Sequence, residues 1–442
     1  MEDDQAGMEQ GEAMEYADSI SSATDDDDEE SKARVYLPGE ALAEGEDLVC
    51  DETAYQMYHQ AHTGAPCLSF DVIRDPLGDS REEYPLTCYI VAGTQAQRAH
   101  TNHVIVLKMS NLHRTTPGDQ DKDDESDSDD EEDDTKKPEL ESAMIQHSGA
   151  VNRVRATQIG EKHLCACWSE MGVVNIFDLS RPLHAVNDSQ VMATYTRNQE
   201  SPAQLFSFKG HLAEGFALDW SQTSPGKLAS GDCTKNIHIW SPQEGSSWHV
   251  DQRPYVGHTA SVEDIQWSPN EENVFGSCSV DKSIRIWDAR AAPSKACMLT
   301  ADEAHQRDVN VISWNHREPF IVSGGDDGML KIWDLRQFQQ GKPVAVFKHH
   351  TAPITSVEWH GCDSTVFAAS GSDEQISLWD LAIEKDTEAS EDSEKDPNVP
   401  PQLLFIHQGQ TDIKELHWHP QLPGVIISTA HSGFNIFRTI SV

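Results

Sequence analysis

The sequence contains few basic side chains. Its 442 residues include 33 lysines and arginines against 75 aspartates and glutamates, so the formal net charge is −42 at pH 7. The phosphates of a nucleic acid would be repelled by such a chain, and direct sequence-specific binding of nucleic acid is not expected. The charge instead predicts basic proteins as the natural partners.

Long apolar runs are missing as well. No stretch reaches the 18 or so apolar residues that a membrane-spanning helix needs, and the acidic N-terminus does not resemble a secretory signal. The nine cysteines are odd in number, and Cys88, Cys233 and Cys278 each stand alone. Unpaired cysteines are typical of free thiols in a reducing compartment. We therefore expect neither membrane insertion nor secretion.

Three segments hold most of the negative charge. They contain 13, 12 and 7 acidic residues but only three lysines, which accounts for −29 of the −42: residues 1–30, 119–134 and 384–396. Such runs repel themselves and bury little apolar surface. The sequence thus predicts a disordered acidic tail over 1–34 and disordered acidic loops over 115–138 and 384–400.

An internal repeat predicts the fold. Four segments end in the pattern apolar-x-apolar-Trp, and their tryptophans are 46 or 47 residues apart: Trp240, Trp287, Trp333 and Trp379. A histidine precedes each of them by 28 or 29 residues, and a second tryptophan follows each histidine by nine. This spacing is typical of the WD repeat, which forms one four-stranded blade of a β-propeller.

Within a repeat, the histidine, a strand serine, a turn aspartate and the tryptophan can form one buried hydrogen-bonded set. The sequence predicts two complete sets: His258, Ser277, Asp281, Trp287 and His305, Ser323, Asp327, Trp333. A third set at His350, Asp373 and Trp379 has Ala369 in place of the serine. Most histidines are thereby assigned a structural role.

Weaker copies bring the number of blades to seven. His147 with Phe177, the strand Val104–Leu107, and Gly409 with Phe437 each belong to a further blade. The last blade lacks a fourth strand, and we expect Cys67–Val72 to supply it and so to remove an exposed sheet edge. The predicted architecture is all-β: a seven-bladed WD-repeat propeller over 65–442.

Residues 47–64 predict an α-helix ahead of the ring. Asp51 could cap it, Tyr55 and Tyr58 belong to an apolar stripe, and Gly64 could end it. Either the stripe only packs on the last blade, or the helix and the second acidic loop form a groove for a basic amphipathic helix. That groove would contain Tyr55, Met57, Tyr58, Asp392, Glu394, Asp396 and Leu404.

Motifs for chemistry are weak. Cys165-Ala166-Cys167 and His417-Trp418-His419 place pairs on one strand face, but neither has a second cluster at zinc spacing. We find no phosphate loop and no nucleophile elbow. The sequence predicts no enzyme activity, no cofactor and no metal.

The first acidic loop is the predicted client-binding run. Its residues are Asp123, Asp124, Glu125, Asp127, Asp129, Asp130, Glu131, Glu132, Asp133 and Asp134. Ser126 and Ser128 each have an acidic residue three positions on, so phosphorylation could add charge there. The bland alternative is that the acidic runs only keep the protein soluble.

Two segments resemble the retinoblastoma-binding histone-chaperone WD-repeat family: Pro400–His407 after an acidic loop, and Ala65–Phe70. The resemblance implies that a helix and the loop clamp a histone helix, although Asn398 and Val399 replace the acid of the family. Residues 34–442 also resemble glutamate-rich WD-repeat proteins, through Val35–Gly39, Trp248–Pro254 and Phe437–Val442.

This second resemblance implies a nuclear and nucleolar chaperone of core histones and of newly made large-subunit ribosomal proteins. Ribosome biogenesis and chromatin or replication-licensing assembly are the implied processes, and we expect a monomer. A rival hypothesis is a substrate adaptor of a cullin ubiquitin ligase, since Arg290 and Arg336 end WD-x-Arg tetrapeptides. Such tetrapeptides also arise easily at the end of a blade's third strand.

Overall fold

The computed structural model describes residues 48–115, 137–198, 204–384 and 399–442. The predicted acidic tail and nearly all of both acidic loops lie outside these residues. The described chain folds into seven four-stranded antiparallel sheets arranged as the blades of a propeller, which confirms the predicted fold. No helix in the described residues is long and apolar enough to cross a membrane.

The strands follow one another blade by blade. Strand β1 (Tyr55–Ala61) comes first. Blade 1 contains β2 (Cys67–Ile73), β3 (Leu86–Thr94), β4 (His103–Leu112) and β5 (Glu139–Gln146). Blade 2 contains β6 (Val151–Ile159), β7 (Lys162–Ser169), β8 (Val173–Asp178) and β9 (Gln204–Phe208). Blade 3 contains β10 (Ala217–Trp220), β11 (Leu228–Gly231), β12 (Ile237–Gln243) and β13 (Ser247–Val250).

The remaining blades repeat this order. Blade 4 contains β14 (Val262–Trp267), β15 (Val274–Ser279), β16 (Ile284–Asp288) and β17 (Cys297–Ala301). Blade 5 contains β18 (Val309–Trp314), β19 (Phe320–Gly325), β20 (Met329–Asp334) and β21 (Ala345–Lys348). Blade 6 contains β22 (Ile354–Trp359), β23 (Val366–Gly371), β24 (Gln375–Asp380) and β25 (Leu403–His407). Blade 7 contains β26 (Glu415–Trp418), β27 (Val425–Ala430) and β28 (Gly433–Thr439) together with β1.

The core lies between the blades. The second strand of a blade is covered on both faces by its neighbours, so β23 and β27 are buried along their whole length. Large aromatic side chains fill the gaps, as where Phe275 stacks on Trp287 at a ring distance of 5.9 Å. The continuous apolar runs of the second and third strands therefore reflect burial on both faces.

The chain closes the ring by a different route from the one predicted. Strand β1 pairs antiparallel with β28, with Tyr58 opposite Phe437 and Ala61 opposite Phe434. The predicted helix over 47–64 is wrong, since only Glu52–Ala54 forms a 3-10 turn before the strand. The free edge of β28 explains this, because its backbone groups need a partner strand that a helix could not provide.

The predicted role of Cys67–Val72 is also wrong. These residues belong to β2, the innermost strand of blade 1, which pairs with β3. Had they closed blade 7, blade 1 would lack its inner strand. The N-terminal part of the chain thus still completes the ring, but with the strand that precedes the expected one.

Blade 2 contains a helical insertion that the sequence did not reveal. Helices α1 (Ser180–Ala185) and α2 (Ser189–Asn198) lie between β8 and β9. The hydroxyl of Tyr195 donates to the carbonyl of Met144 on β5, and the hydroxyl of Tyr89 donates to Asn187, at 2.8 and 2.7 Å. The insertion therefore packs across the outer side of blades 1 and 2. Further 3-10 turns occupy Ala99–Thr101, Pro293–Lys295 and Phe338–Gln340.

Candidate partner-binding surface

A buried chain of hydrogen bonds stabilises blade 4. His258 Nδ1 lies 2.9 Å from a carboxylate oxygen of Asp281, and His258 Nε2 lies 2.7 Å from the Ser277 hydroxyl. The indole N–H of Trp287 donates to the same hydroxyl at 2.8 Å. Equivalent chains join His305, Asp327, Ser323 and Trp333 in blade 5 and His211, Asp232, Ser230 and Trp240 in blade 3.

The protonation of these sets follows from their burial. Burial lowers the pKa of His258 and His305, so both rings are neutral at pH 7. Burial alone would raise the pKa of Asp327, but the hydrogen bond from His305 holds it at about 2. A neutral imidazole donates from Nδ1 to the carboxylate and accepts the serine proton at Nε2. Each polar atom of the set has a partner, which suits a structural role.

Blade 6 obtains its hydroxyl from a different strand. His350 Nε2 and the indole N–H of Trp379 both contact the Ser377 hydroxyl, each at 2.7 Å. Ser377 stands directly opposite Ala369 in the pairing of β23 with β24. The hydroxyl missing at Ala369 is therefore supplied by its cross-strand neighbour.

Strand β1 is tied to blade 6 by aromatic and polar contacts. The hydroxyl of Tyr55 lies 2.7 Å from His407 Nδ1, and the Tyr55 ring meets Phe405 edge-on at 5.4 Å. His407 in turn stacks on Phe437 at 4.1 Å. Burial lowers the pKa of His407 to about 3, so this ring is neutral and can share one proton with the tyrosine.

The structure changes the proposed groove. Met57 is fully buried and Tyr55 is 5% exposed, so both belong to the core of the ring. Tyr58 and Leu404 are half-buried at the junction of blades 6 and 7. The groove residues Asp392, Glu394 and Asp396 lie outside the described residues. A groove formed by a helix over 47–64 is therefore excluded, and Tyr58 and Leu404 are what remains partly accessible.

The beginning of the first acidic loop is held against β1. The backbone N–H of Thr115 donates to the carbonyl of Gln56 at 3.1 Å, and the Thr115 hydroxyl accepts the N–H of Tyr58 at 2.7 Å. His59 Nε2 donates to the carbonyl of His113 at 2.8 Å. Residues 113–115 thus run along the outer edge of blade 7, although they belong to the chain of blade 1.

Both acidic loops have the same place in the blade topology. The first joins β4 to β5 and the second joins β24 to β25, so each connects the third strand of a blade to the fourth. Their blades, 1 and 6, flank blade 7. In an antiparallel sheet, these connections lie on the same face of the ring. Two charged segments that are distant in sequence therefore leave the ring on either side of the closing strand.

Comparison with known proteins identifies the family. A model for the histone-binding protein RBBP4, a component of the CAF1 complex, matches residues 45–113, and the WD-domain G-beta repeat model matches 251–288, 296–334 and 341–380. The glutamate-rich WD repeat-containing protein 1 of Dictyostelium discoideum is 44% identical, with 94% of this chain and 86% of the relative covered. This chain belongs to the glutamate-rich WD-repeat family.

Two further relatives of this glutamate-rich WD-repeat chain have informative names. The ribosome assembly protein rrb1 of Schizosaccharomyces pombe is 40% identical, with 92% of this chain and 84% of the relative covered. The protein HEAT STRESS TOLERANT DWD 1 of Arabidopsis thaliana is 44% identical, with 92% of each covered. These matches support a scaffold or chaperone role.

The RBBP4-type match has a defined place in this glutamate-rich WD-repeat structure. It covers β1 to β4 and ends at His113, which is where the chain begins to run along β1. The client-binding run 123–134 and the phosphorylation candidates Ser126 and Ser128 lie outside the described residues.

The two WD-x-Arg motifs form surface ion pairs. Arg290 pairs with Asp288 at 2.6 Å and Arg336 pairs with Asp334 at 2.8 Å, with 70% and 64% of the arginine side chains exposed. Cys165 and Cys167 are buried with their sulfurs 3.7 Å apart. No group of three or more possible metal ligands occurs in the parts of the chain that the structure describes.

Proposed function

We propose that this protein is a non-enzymatic chaperone and scaffold for basic proteins, namely core histones and newly made large-subunit ribosomal proteins. Ribosome biogenesis and chromatin or replication-licensing assembly would be its processes, and the nucleus and nucleolus its locations. The observation that carries the proposal is the arrangement of the two internal acidic loops, which leave the ring on either side of blade 7.

Electrostatics supports a chaperone of basic clients. The run 119–134 has 12 acidic residues and one lysine, a formal charge of −11. A free histone or ribosomal protein aggregates or binds nucleic acid through its own positive charge. Charge neutralisation shields such a client without requiring fixed contact geometry, and it weakens with salt. The ring would supply a defined surface beside this charge at Tyr58 and Leu404.

The test replaces residues 119–134 by a Gly/Ser segment of equal length. We expect the affinity for core histones and for a basic ribosomal protein to fall about tenfold or more near 0.15 M salt, because the lost charges act within a Debye length of about 8 Å. A variant with the order of 119–134 scrambled is the matched control and should bind like the wild type. Calorimetry at two salt concentrations measures both.

Two results would contradict the proposal. Equal binding by the Gly/Ser variant would make the acidic run a solubility device only. Loss of binding in the scrambled control would show that a specific sequence, and not charge, recognises the client.

A ligase-adaptor role is the second candidate. It is favoured by the exposed guanidinium groups of Arg290 and Arg336, and one relative carries DWD in its name. If the role holds, Arg290→Ala with Arg336→Ala should abolish co-purification of a cullin ligase and leave histone binding unchanged. Each arginine contacts only an exposed partner pair, so little stability should be lost. Retention of the ligase by the double variant would refute this candidate.

A further inference from the structure

The centre of the ring contains two cavities. One of about 650 Å³ opens on the face that the third-to-fourth-strand connections share, and one of about 300 Å³ lies toward the opposite face. Arg153 lines both cavities. It bonds Glu415, whose Oε1 also accepts from Arg155 at 2.8 Å. This ion-pair cluster separates the two ends of the channel.

Acceptor side chains on the inner strands join successive blades around the larger cavity. Each accepts the backbone N–H of a residue on the inner strand of the next blade. The pairs are Asp71 with Ala156, Asp219 with Trp267, Gln266 with Trp314, Ser313 with Trp359 and Glu358 with Trp418, at 2.7, 2.6, 2.9, 3.1 and 3.2 Å. Neutral Gln266 and Ser313 perform this role as well as the carboxylates do. The blade-to-blade contact thus needs an acceptor but not a charge.

Negative charge exceeds positive charge inside this cavity. Five carboxylates line it: Asp71, Asp219, Asp264, Glu358 and Glu415. Three cations face them, namely Arg153, Arg155 and His417, and the further lining cation Arg74 has its own partner, Asp79. Burial, together with the nearby charges of Asp264 and Asp71, raises the pKa of Asp219 to about 8. A cation beside Asp219 would relieve this repulsion.

An unpaired donor lies next to these carboxylates. His417 Nδ1 lies 2.9 Å from Glu358, while His417 Nε2 is 3.7 Å from Glu415, too far for a hydrogen bond. Burial opposes a charge on this ring, but Glu358 and Glu415 raise the pKa of His417 to about 10, so both nitrogens carry protons. His417 Nε2 and the buried His419 Nε2 find no hydrogen-bond partner among the described residues, and both residues line the cavity.

We propose that this end of the channel binds a lysine or arginine side chain of an extended basic peptide, with its cation at Asp219 and Glu358 and a backbone carbonyl at His417 Nε2. The inference rests on the proposed function and names a second contact for the same class of client. The larger cavity has a volume within the range of about 300–1,000 Å³ of ligand sites. A peptide fits the cavity better than a bare metal ion, because one feature demands a cation and the other an acceptor.

The test uses the natural thiol at the mouth. Cys362 is exposed and lines the cavity, so an environment-sensitive dye on Cys362, in full-length protein with Cys50→Ser, reports on this site alone. Addition of a nine-residue arginine–glycine peptide should shift the emission of the dye. In the variant Asp219→Asn with Glu358→Gln, the affinity obtained from this shift should fall at least about tenfold, the loss expected for charge-assisted hydrogen bonds. Both substitutions keep the acceptor oxygen that joins the blades.

A matched variant, Asp302→Asn with Glu244→Gln, removes two charges outside both cavities and should retain the wild-type affinity. Melting curves of both variants report on folding. If full-length protein binds histones through residues 119–134 but the dye stays silent, or responds equally in the Asp219 and Glu358 variant, the channel site is refuted and the proposed function stands. If full-length protein binds no basic client at all, the proposed function fails. A shift by spermine at the same affinity would identify a polyamine site and overturn the peptide proposal.

Discussion

Removal of residues 1–61 is expected to abolish the cooperative unfolding of the ring near its normal temperature, whereas removal of residues 1–50 should leave it unchanged. The two truncations differ by the turn that begins at Asp51 and by β1, which forms the fourth strand of blade 7. Without β1, the backbone of β28 has no partner on its outer side. An open edge of this kind also invites association between molecules.

The size of the effect follows from what β1 buries. Tyr55 and Met57 are each at least 95% buried, and full burial of one large apolar side chain contributes about 1.5–3 kcal/mol. The hydrogen bond of Tyr55 to His407 and the pairing with β28 add to this. We expect the melting temperature to fall by at least about 10 °C, given a shift of about 2–4 °C per kcal/mol in domains of 150–250 residues.

Calorimetric melting of both truncated forms measures this effect. The 1–50 deletion is the matched control, because it removes most of the N-terminal acidic charge without touching β1. A 1–61 deletion that melts like the full chain would mean that the ring does not depend on its closing strand. A 1–50 deletion that melts as low as the longer one would assign the stability to the preceding segment.

The propeller itself could be predicted because its signals are local and repeated. The tryptophan spacing and the histidine positions report on single blades, and each blade repeats the same strand order. The closing strand could not be predicted in this way. Tyr55, Tyr58 and Ala61 are compatible with a helical stripe, and over seven residues the periods of a helix and a strand are hard to separate. What decides the outcome is the free edge of β28, almost 380 residues later in the chain.

The channel illustrates a second limit. Asp219 and Glu358 belong to ordinary inner strands, and only the closed ring brings them to one cavity with His417. Their common feature, an acceptor directly before the last residue of an inner strand, was present in the sequence at Gln266 and Ser313 too. The missing serine of blade 6 was also visible, but its replacement by Ser377 required the register between β23 and β24.

The last expected result concerns that replacement. Ser377→Ala should lower the free energy of unfolding by about 2–4 kcal/mol, because it leaves both His350 Nε2 and the indole N–H of Trp379 buried without a partner, at about 1–3 kcal/mol for each unsatisfied group. Denaturant unfolding measures the loss. Ser370→Ala is the matched control, since the Ser370 side chain is equally buried but contacts only the Thr355 hydroxyl.

A second-site rescue makes this result specific. Adding Ala369→Ser to the Ser377→Ala variant places a hydroxyl where Ser277 and Ser323 stand in blades 4 and 5, so we expect at least half of the lost stability to return. Adjacent positions that share partners are where such non-additivity occurs. If the double variant is no more stable than Ser377→Ala, the two positions are not interchangeable. If Ser377→Ala loses no more than Ser370→Ala, the shared hydroxyl does not stabilise blade 6, and the loop histidine of that blade must be satisfied in some other way.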